Sequence, residues 1–349
     1  MIKTIKNLKL KEGTRILVRC DFNVPLLKSG KILDDFKIRQ TISTIKYLIK
    51  KRAKIILISH LGRPEKNKKY SLKPIAQRLE KLLKRKVRFI NDCLGEKVEK
   101  EIKKIKPKEI ILLENLRFYK EEEKNNKNFA KKLAELADIY INDAFGASHR
   151  AHASIVGISQ FLPSVAGSLL EKEIKTLTNL LKKSKKPLIF IIGGIKIETK
   201  AKLINKISTV ADFILIGGMI NKEIEEKGIV LDYHQKIIKP IDEIGRGKDI
   251  GPLTVNFFKE KIMSAKTIFW NGPLGQIEKK EFSRGTKEIA KIIIKSKAFS
   301  VVGGGETVEF INQLDLMKKF SYVSTGGGAM LEFLAGEKLP GIEVLKYGN

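Results

Sequence analysis

The sequence has little cysteine, little aromatic content and no long hydrophobic run. Two cysteines, Cys20 and Cys93, among 349 residues are too few for a disulfide framework or a four-cysteine metal site. No run approaches the roughly 18 apolar residues that a membrane span needs, and residues 1–4 lead into a charged segment without a signal-peptide core. We therefore expect a globular protein that acts in the cytoplasm and has no membrane partner.

Acidic residues are also scarce, with 39 Asp and Glu against 69 Lys and Arg, for a formal net charge of +30. Such a balance attracts polyanions, so nucleic-acid binding is one interpretation. However, the lysines are spread along helical stretches such as 81–86 and 100–106, with no arginine-rich arm and no interleaved aromatics. We interpret these lysines as solvated helix faces and expect no specific nucleic-acid partner.

Short apolar runs alternate with amphipathic helical stretches along the whole chain. This alternation is typical of βα units and parallel sheets, and 349 residues suffice for two domains. The predicted fold class is therefore α/β, with two Rossmann-like domains, each a parallel sheet flanked by helices. The predicted strands are 16–18, 55–58, 87–90, 110–113, 139–141, 188–192, 213–216, 267–270, 300–302 and 322–323.

The residues that follow the strands differ between the two halves. In the first half they are polar or charged, and in the second half they are glycines. The carboxyl ends of parallel strands form the ligand crevice, and glycines before a helix let backbone N–H groups approach a phosphate. The division predicts one domain for a small anionic substrate and one for a nucleotide. The endings are Asp21, Asn23, His60, Arg63, Asn91, Asp92, Glu114, Asn115, Arg117 and Asp143, then 193–194, 217–218, 271–275, 303–305 and 324–329.

The stretch 143–154 concentrates polar chemistry directly after a predicted strand. It contains Asp143, His149, Arg150 and His152. Buried polar groups need partners, so we interpret this stretch as the lip of a site. The two histidines are also compatible with a metal pair, but no third soft ligand lies nearby in the sequence.

Arginines on one predicted edge indicate an anionic substrate. Arg63, Arg117 and Arg150 supply planar forks that bind carboxylate or phosphate in a bidentate way. The alternative is that each forms a surface salt bridge.

The loop 303–307 falls short of a dinucleotide fingerprint because Val308 replaces the third glycine, and no Walker motif occurs. The glycine pattern therefore indicates a nucleotide without saying which one.

Six motifs resemble those of phosphoglycerate kinase, and they occur in order along nearly the whole chain. The resemblance implies reversible transfer of the acyl phosphate of 1,3-bisphosphoglycerate to ADP, giving 3-phosphoglycerate and ATP, with Mg²⁺ as the cofactor. It also implies a monomer that closes around a hinge during catalysis. The motifs are 18–25 (VRCDFNVP), 59–64 (SHLGRP), 113–118 (LENLRF), 143–152 (DAFGASHRAH), 270–275 (WNGPLG) and 324–329 (STGGGA).

The resemblance also assigns roles to individual residues. The catalytic residues it implies are Lys37, Lys196 and Arg150. The glycerate-binding residues it implies are Asp21, Phe22, Asn23, His60, Leu61, Gly62, Arg63, Arg117 and Arg150. The nucleotide-binding residues it implies are Lys200, Gly251, Glu278, Gly304, Gly305, Glu306 and Thr307, with Glu306 as the Mg²⁺ ligand.

Several positions depart from the family pattern. Lys37 stands where the family has a catalytic arginine, and Arg39 lies two residues on, around the other side of a helix. We expect either a reduced rate or a local shift that brings Arg39 in. Glu306 replaces an aspartate, and Ile195 and Ile220 replace alanines near the nucleotide.

These departures leave a second interpretation open, a catalytically weakened phosphoglycerate kinase-like binding protein. A relative without activity would be expected to have lost Lys196 or Lys200, and the sequence keeps both. We therefore favour an active kinase.

The domain bounds follow from the same resemblance and from a helical pattern. Residues 1–167, with 330–349 returning to them, are predicted to bind 3-phosphoglycerate, and 168–329 to bind the nucleotide. Pro163, Gly167 and the amphipathic stretch from Ser168 to about Lys182 predict a linker and hinge helix. The second domain is predicted to be shortened between Gly228 and Gly251, with loss of an edge element of its sheet.

Overall fold

Each half of the chain builds its own parallel six-stranded sheet, which confirms the predicted α/β class. The computed structural model describes residues 2–64, 68–195 and 197–346. The first unit comprises Met1–Ile174 and Lys338–Asn349, and the second comprises Lys175–Glu337. The units thus divide at residues 174/175 and 337/338, compared with the predicted 167/168 and 329/330.

The sheet of the first unit has the strand order β3-β4-β2-β1-β5-β6. All five strands predicted for this half are present, and a sixth, which the sequence analysis did not predict, lies between Pro163 and Gly167. With only three residues, this strand is too short to give a hydrophobic signal of its own. The strands are β1 (Arg15–Cys20), β2 (Lys54–Ile58), β3 (Val87–Ile90), β4 (Ile110–Leu113), β5 (Ile139–Asp143) and β6 (Ser164–Ala166).

Helices cover both faces of this sheet, which explains why its strands read as continuous apolar runs. Along β1, Ile16 and Val18 join one buried cluster while Leu17 joins the cluster on the opposite face. Successive side chains of a strand point to opposite faces, so both faces must be apolar. The helices are α1 (Phe36–Lys50), α2 (Lys73–Leu83), α3 (Glu96–Lys103), α4 (Lys120–Glu123), α5 (Lys127–Ala134) and α6 (Ser168–Lys182).

The predicted helix from Ser168 to about Lys182 is confirmed as α6, and the boundary between the units lies within it. Asp143, at the end of β5, caps the beginning of this helix. Its Oδ1 atom accepts hydrogen bonds from the backbone N–H groups of Leu169 (2.9 Å) and Leu170 (3.3 Å). These N–H groups have no partner within the helix, so the carboxylate satisfies them.

The sheet of the second unit has the strand order β14-β13-β12-β7-β8-β9. All five predicted strands are present. The two-residue β9 lies at the edge beside β8, and β10 and β11 form a separate antiparallel pair. The strands are β7 (Leu188–Ile192), β8 (Phe213–Ile216), β9 (Ile237–Ile238), β10 (Glu243–Ile244), β11 (Asp249–Ile250), β12 (Thr267–Asn271), β13 (Phe299–Gly303) and β14 (Tyr322–Val323).

The helices of the second unit begin mostly at the glycine-rich ends of these strands. They are α7 (Glu198–Ser208), α8 (Gly218–Glu226), α9 (Pro252–Ser264), α10 (Arg284–Ser296), α11 (Gly305–Gln313) and α12 (Gly328–Leu334).

A last short helix, α13 (Pro340–Glu343), returns the chain to the first unit. There the backbone N–H of Gly341 donates to the carbonyl of Ser148 (2.9 Å), and Asn142 Nδ2 donates to the carbonyl of Gly341 (3.0 Å). A Cβ atom at Gly341 would lie 2.6 Å from Ile155, so only glycine allows this approach.

Among the described residues, no helix has both the length and the apolar content needed to cross a bilayer.

Candidate active site

Three loops at the carboxyl edge of the first sheet meet at Gly62. Asn23, which follows β1, accepts a hydrogen bond from the Gly62 N–H at its Oδ1 (2.8 Å). Arg117, which follows β4, donates from Nη1 to the Gly62 carbonyl (2.6 Å). Gly62 has φ +58°, and a Cβ atom there would overlap the Tyr70 ring. The structure thus brings together residues that the sequence places on three separate strands.

The backbone around His60 is held by side chains from neighbouring strands. Phe22 is buried and donates its N–H to Ser59 Oγ (2.9 Å). Leu61 is also buried, and it exchanges two hydrogen bonds with the Asn115 side chain, through Leu61 N to Oδ1 (3.2 Å) and Nδ2 to the Leu61 carbonyl (2.8 Å). Phe22 and Leu61 are thus fixed in the core beside the polar edge.

Lys37 and Arg39 point to different partners on either side of α1. Lys37 Nζ lies 2.8 Å from Asp21 Oδ2, at the end of β1. Arg39 Nε lies 2.7 Å from Asp35 Oδ1, and the other oxygen of Asp35 pairs with Arg78 (2.6 Å). The structure therefore holds Lys37, and not Arg39, against the residues at the sheet edge.

His60 is buried among cations. Burial, followed by the positive charges of Arg19, Arg117, Lys37 and Arg150, holds the pKa of His60 well below its usual range. Of these side chains, Arg19 contacts the ring directly, with its Nη2 3.1 Å from His60 Nδ1. His60 is consequently neutral at pH 7 and cannot serve as a cation.

The three arginines of the predicted edge differ in exposure. Arg63 is exposed, Arg150 is half-buried and donates from Nε to His149 Nε2 (3.2 Å), and Arg117 pairs with Glu123 (3.0 Å). Burial lowers the pKa of Arg117; Glu123 opposes this shift, and Arg150 adds to it. Positive charges that are close enough to disfavour each other create a strong local attraction for an anion.

The stretch 143–154 contributes Arg150 to this cluster, but Asp143 is not part of a lip. It is fully buried under Gly167 and caps α6, so that part of the interpretation is wrong. Burial and the nearby arginines lower the pKa of His152 to about 4. Within residues 2–64, 68–195 and 197–346, no three His, Cys, Asp or Glu side chains are placed to hold a metal ion.

In the second unit, the glycine turns after β7 and β12 pack backbone against backbone. The N–H of Gly193 donates to the Asn271 carbonyl (2.9 Å), and the N–H of Gly194 donates to the Pro273 carbonyl (2.7 Å). A Cβ atom at Gly193 would overlap the Pro273 carbonyl. These glycines are therefore required for loop packing.

The turn before α11 is different, because it is open. A Cβ atom at Gly305 would meet nothing within 4 Å, and Gly304 has φ +100°. Glu306 is exposed in the first turn of the helix, whereas Thr307 is buried and accepts the Gly272 N–H at its Oγ1 (2.9 Å). An accessible helix N-terminus favours an anion.

Lys200 lies on α7 with its side chain buried, and its Nζ donates to the Gly193 carbonyl. Burial lowers the pKa of Lys200 to about 8, while Glu306 and Glu223 oppose the shift. Gly193 in turn donates its N–H to the Asn271 carbonyl, and the adjacent Gly272 donates to Thr307 of α11, so α7 and the beginning of α11 flank the same pair of loops. Lys196, the other predicted lysine, lies outside the described residues.

Gly251 and Glu278 have less distinctive surroundings. Gly251 precedes α9 and lies beneath Asp242, whose carboxylate caps that helix by accepting the N–H groups of Leu253 (3.0 Å) and Thr254 (2.6 Å). Glu278 is exposed in the loop after β12.

Comparisons with known proteins agree with these motifs. The sequence model of the family described as "Phosphoglycerate kinase" matches residues 5–229 and 224–337. The chain belongs to the phosphoglycerate kinase family. The phosphoglycerate kinase of Borreliella burgdorferi (strain ZS7) is 44% identical over 391 aligned positions, and that of Dictyoglomus turgidum is 45% identical over 393, each covering 99% of both chains.

Solved phosphoglycerate kinase structures have the same fold. The structure from Coxiella burnetii aligns with a TM-score of 0.83 at 35% identity and covers 99% of both chains. The crystal structure from Pyrococcus horikoshii OT3 aligns with a TM-score of 0.88 at 32% identity, covering 99% of this chain and 98% of that one.

The same comparisons bear on the length of the second unit. The alignment to the Borreliella phosphoglycerate kinase has 391 positions against 349 residues in this chain, so at least 42 positions have no residue here. The family match falls into two segments that overlap at residues 224–229, beside the segment from Gly228 to Gly251 that was predicted to be short. The location of the loss stays a prediction.

Sequence reasoning missed one buried polar network next to the candidate site. Arg19, Glu122 and Ser154 are fully buried and linked to each other behind His60. The only available signal was a charged residue, Arg19, within an apolar strand run, because its partners lie more than 100 positions away.

Proposed function

We propose a division of roles by which this chain performs the phosphoglycerate kinase reaction, the reversible transfer of an acyl phosphate from 1,3-bisphosphoglycerate to ADP. The first unit binds the glycerate and the second binds the nucleotide. The observation that carries this proposal is that Asn23 and Arg117 both bond to Gly62 at the sheet edge where Lys37 is held against Asp21. Phosphoryl transfer needs positioning and stabilisation of negative charge more than covalent chemistry, and such a cluster supplies both.

On the first unit, the arginines bind the charged ends of the glycerate and neutral groups orient it. Arg63 and Arg150 offer bidentate forks, and Arg117 is fixed in place by Gly62 and Glu123. Lys37, already held at Asp21, places a positive charge near the transferred group. The other proposed contacts come from Asp21, Phe22, Asn23, His60, Leu61 and Gly62.

On the second unit, Lys200 and the open beginning of α11 bind the nucleotide phosphates. The N–H groups that follow Gly304 and Gly305 point along the helix axis toward an anion, and Thr307 fixes the neighbouring turn at Gly272. We assign Glu278 to the ribose and Gly251 to the wall of the nucleotide pocket. Lys196 is proposed to neutralise the transferred phosphoryl group.

Mg²⁺ is the cofactor that we propose, with Glu306 as its protein ligand. The residues fit this ion, because Glu306 offers an exposed carboxylate oxygen in the first turn of α11, where nucleotide phosphates would bind. Mg²⁺ usually takes one or two carboxylates, several waters and substrate oxygens. When bound, the ion would neutralise phosphate charge, and Glu306 would fix its place relative to Lys200.

The second candidate is a phosphoglycerate kinase-like binding protein with weakened turnover. The observation that favours it is Lys37, whose single ammonium is already paired with Asp21 and lacks the fork of an arginine. Protein supplied with 3-phosphoglycerate and MgATP distinguishes the two, since an active kinase forms 1,3-bisphosphoglycerate, detected by coupling to NADH oxidation. Binding of both substrates without turnover would favour the second candidate.

Two further proposals concern the protein as a whole. We propose a monomer that acts in the cytoplasm, as expected for this family. Sedimentation equilibrium at micromolar concentration measures the first property, and a mass of twice 39.4 kDa would contradict it.

A further inference from the structure

Arg19 places a permanent charge in the core of the first unit. It lies on β1 between β2 and β5, and its side chain is fully buried. Burying a guanidinium costs much free energy unless its N–H groups find acceptors. Its Nε donates to Ser154 Oγ (2.8 Å), Nη1 to the Cys20 carbonyl (2.5 Å), and Nη2 lies 3.1 Å from His60 Nδ1.

The hydrogen bond between Arg19 and His60 has one possible direction. A guanidinium has five N–H donors and no acceptor, so Nδ1 of His60 must accept. A ring nitrogen that accepts carries no proton, and the neutral imidazole therefore holds its single proton on Nε2. A protonated His60 would present an N–H toward Nη2 and lose this bond. Arg19 thus selects the neutral form of His60 and one of its two tautomers.

Ser154 and Glu122 hold the guanidinium in this orientation. Ser154 Oγ accepts from Arg19 and donates to Glu122 Oε1 (2.6 Å), and the Ser154 N–H donates to Glu122 Oε2 (2.9 Å). Glu122 Oε1 also lies 3.9 Å from Arg19 Nη2, so it supplies the counter-charge. All three side chains are inaccessible to solvent. Hydrogen bonds within such a network fix the plane of the fork.

We propose that Arg19 is a positioning residue that holds His60 as the Nε2–H tautomer, so that His60 donates a hydrogen bond to an oxygen of the bound glycerate. The donor role rests on the function proposed for the first unit. The charged groups that face His60 are Arg19 from β1, Lys37 from α1, Arg117 and Arg150. In this cationic setting, a neutral donor keeps its hydrogen bond over the pH range in which a free histidine would titrate.

The tautomer is measurable in the free protein, independently of activity. Long-range ¹H–¹⁵N correlation spectra of ¹⁵N-histidine-labelled protein contain signals from only four histidines, and His60→Gln identifies the His60 signals by their loss. We expect one neutral tautomer with a protonated Nε2, unchanged from pH 8 to pH 5. A protonated ring at pH 7, or a proton on Nδ1, would overturn the proposal.

The double variant Arg19→Gln with Glu122→Gln tests the cause. Arg19→Gln alone would leave Glu122 buried without its counter-charge, whereas the pair removes both charges. A glutamine amide can donate or accept, so His60 should become a mixture of tautomers. Ser154→Ala is the matched control, because the bond from Nη1 to the Cys20 carbonyl and the counter-charge of Glu122 still hold the guanidinium, and its His60 should keep the Nε2–H form. A double variant that also keeps the pure Nε2–H form would refute the role of Arg19.

Kinetics of the same double variant separates this inference from the proposed function. We expect KM for 3-phosphoglycerate to rise in inverse proportion to the Nε2–H fraction that remains, about twofold for an equal mixture, with a smaller change in kcat and none in KM for ATP. Mixed tautomers with an unchanged KM would show that His60 does not donate to the glycerate. That result would overturn the donor role and also the placement of His60 in the binding site, while turnover itself would still show the kinase activity.

Discussion

Lys37 Nζ forms an ion pair with Asp21 Oδ2 at 2.8 Å, and the Asp21 side chain is almost completely buried. This pair fixes the amine at the end of β1, where the first unit is proposed to bind the glycerate. The relationship decides between the two candidate cations at the beginning of α1, because Arg39 is bound to Asp35 instead.

Lys37→Ala should lower turnover on the order of a hundredfold, the usual effect of removing one group that stabilises developing charge. Lys37→Arg should keep or raise turnover, because it restores a bidentate fork beside Asp21. Arg39→Ala is the control and should change kcat little, since its ion pair is half exposed. Steady-state assays of the three variants test this, and a loss confined to Arg39→Ala would transfer the role to Arg39.

Lys200 should make nucleotide binding depend on pH. Its pKa is lowered to about 8, chiefly by burial, so the amine is charged below that pH and loses its charge above it. The kcat/KM for ATP should fall as pH rises through about 8, because kcat/KM reports ionisation of the free enzyme. Lys200→Arg should remove this decline, since an arginine stays protonated. If the variant shows the same decline as the wild type, another group is responsible.

Glu306→Asp should alter the requirement for Mg²⁺. The shorter side chain restores the carboxylate found in the family motif, and Mg²⁺ demands nearly ideal geometry. We expect tighter binding of MgADP in Glu306→Asp and weaker binding, by about tenfold, in Glu306→Ala, from loss of one charged contact. Calorimetric titration with ADP, with and without Mg²⁺, measures this without relying on turnover. Equal affinities in all three forms would exclude Glu306 as the ligand.

Gly62→Ala should destabilise the first unit by about 1–3 kcal/mol, because the added Cβ overlaps the Tyr70 ring. It should also raise KM for 3-phosphoglycerate, since Gly62 holds Asn23 and Arg117. Gly30→Ala is the matched control, because it has a positive φ of +80° with no atom within 4 Å of the new Cβ. Thermal unfolding of both variants separates the steric effect from the backbone effect, and equal losses would contradict the steric account.

Asp143 should make stability fall as pH rises from about 4 to 7. Burial raises its pKa from 3.8 to about 7, so in this window the folded state binds a proton that the unfolded state has released. The resulting contribution is complete below the unfolded pKa and is lost as pH passes the folded pKa. Asp143→Asn should flatten the dependence of Tm on pH in this window while keeping an oxygen for the cap of α6. An unchanged slope would assign the effect to other groups.

The ten predicted strands and the α6 helix were readable because both sheets are covered on both faces. A strand buried on both sides must be apolar at nearly every position, and that pattern is visible in a single sequence. The short strand Ser164–Ala166 lacked such a run and was missed, since its place depends on pairing with β5.

The residues of the candidate site were readable as types and positions, but not as partners. Sequence reasoning placed Lys37, Arg39 and Asp143 near the site, and the structure gave each a different partner: Asp21, Asp35 and the beginning of α6. Local pattern carries no information on which side chains meet across a sheet.

By itself, the sequence determined the fold class, the family motifs and the polar edge of the first sheet, because these follow from local hydrophobic pattern and short motifs. Only the tertiary structure decided that Arg19 faces His60, with Glu122 behind it. The physical reason is that a buried charge is tolerated only where the folded strand order brings acceptors to it from distant parts of the chain.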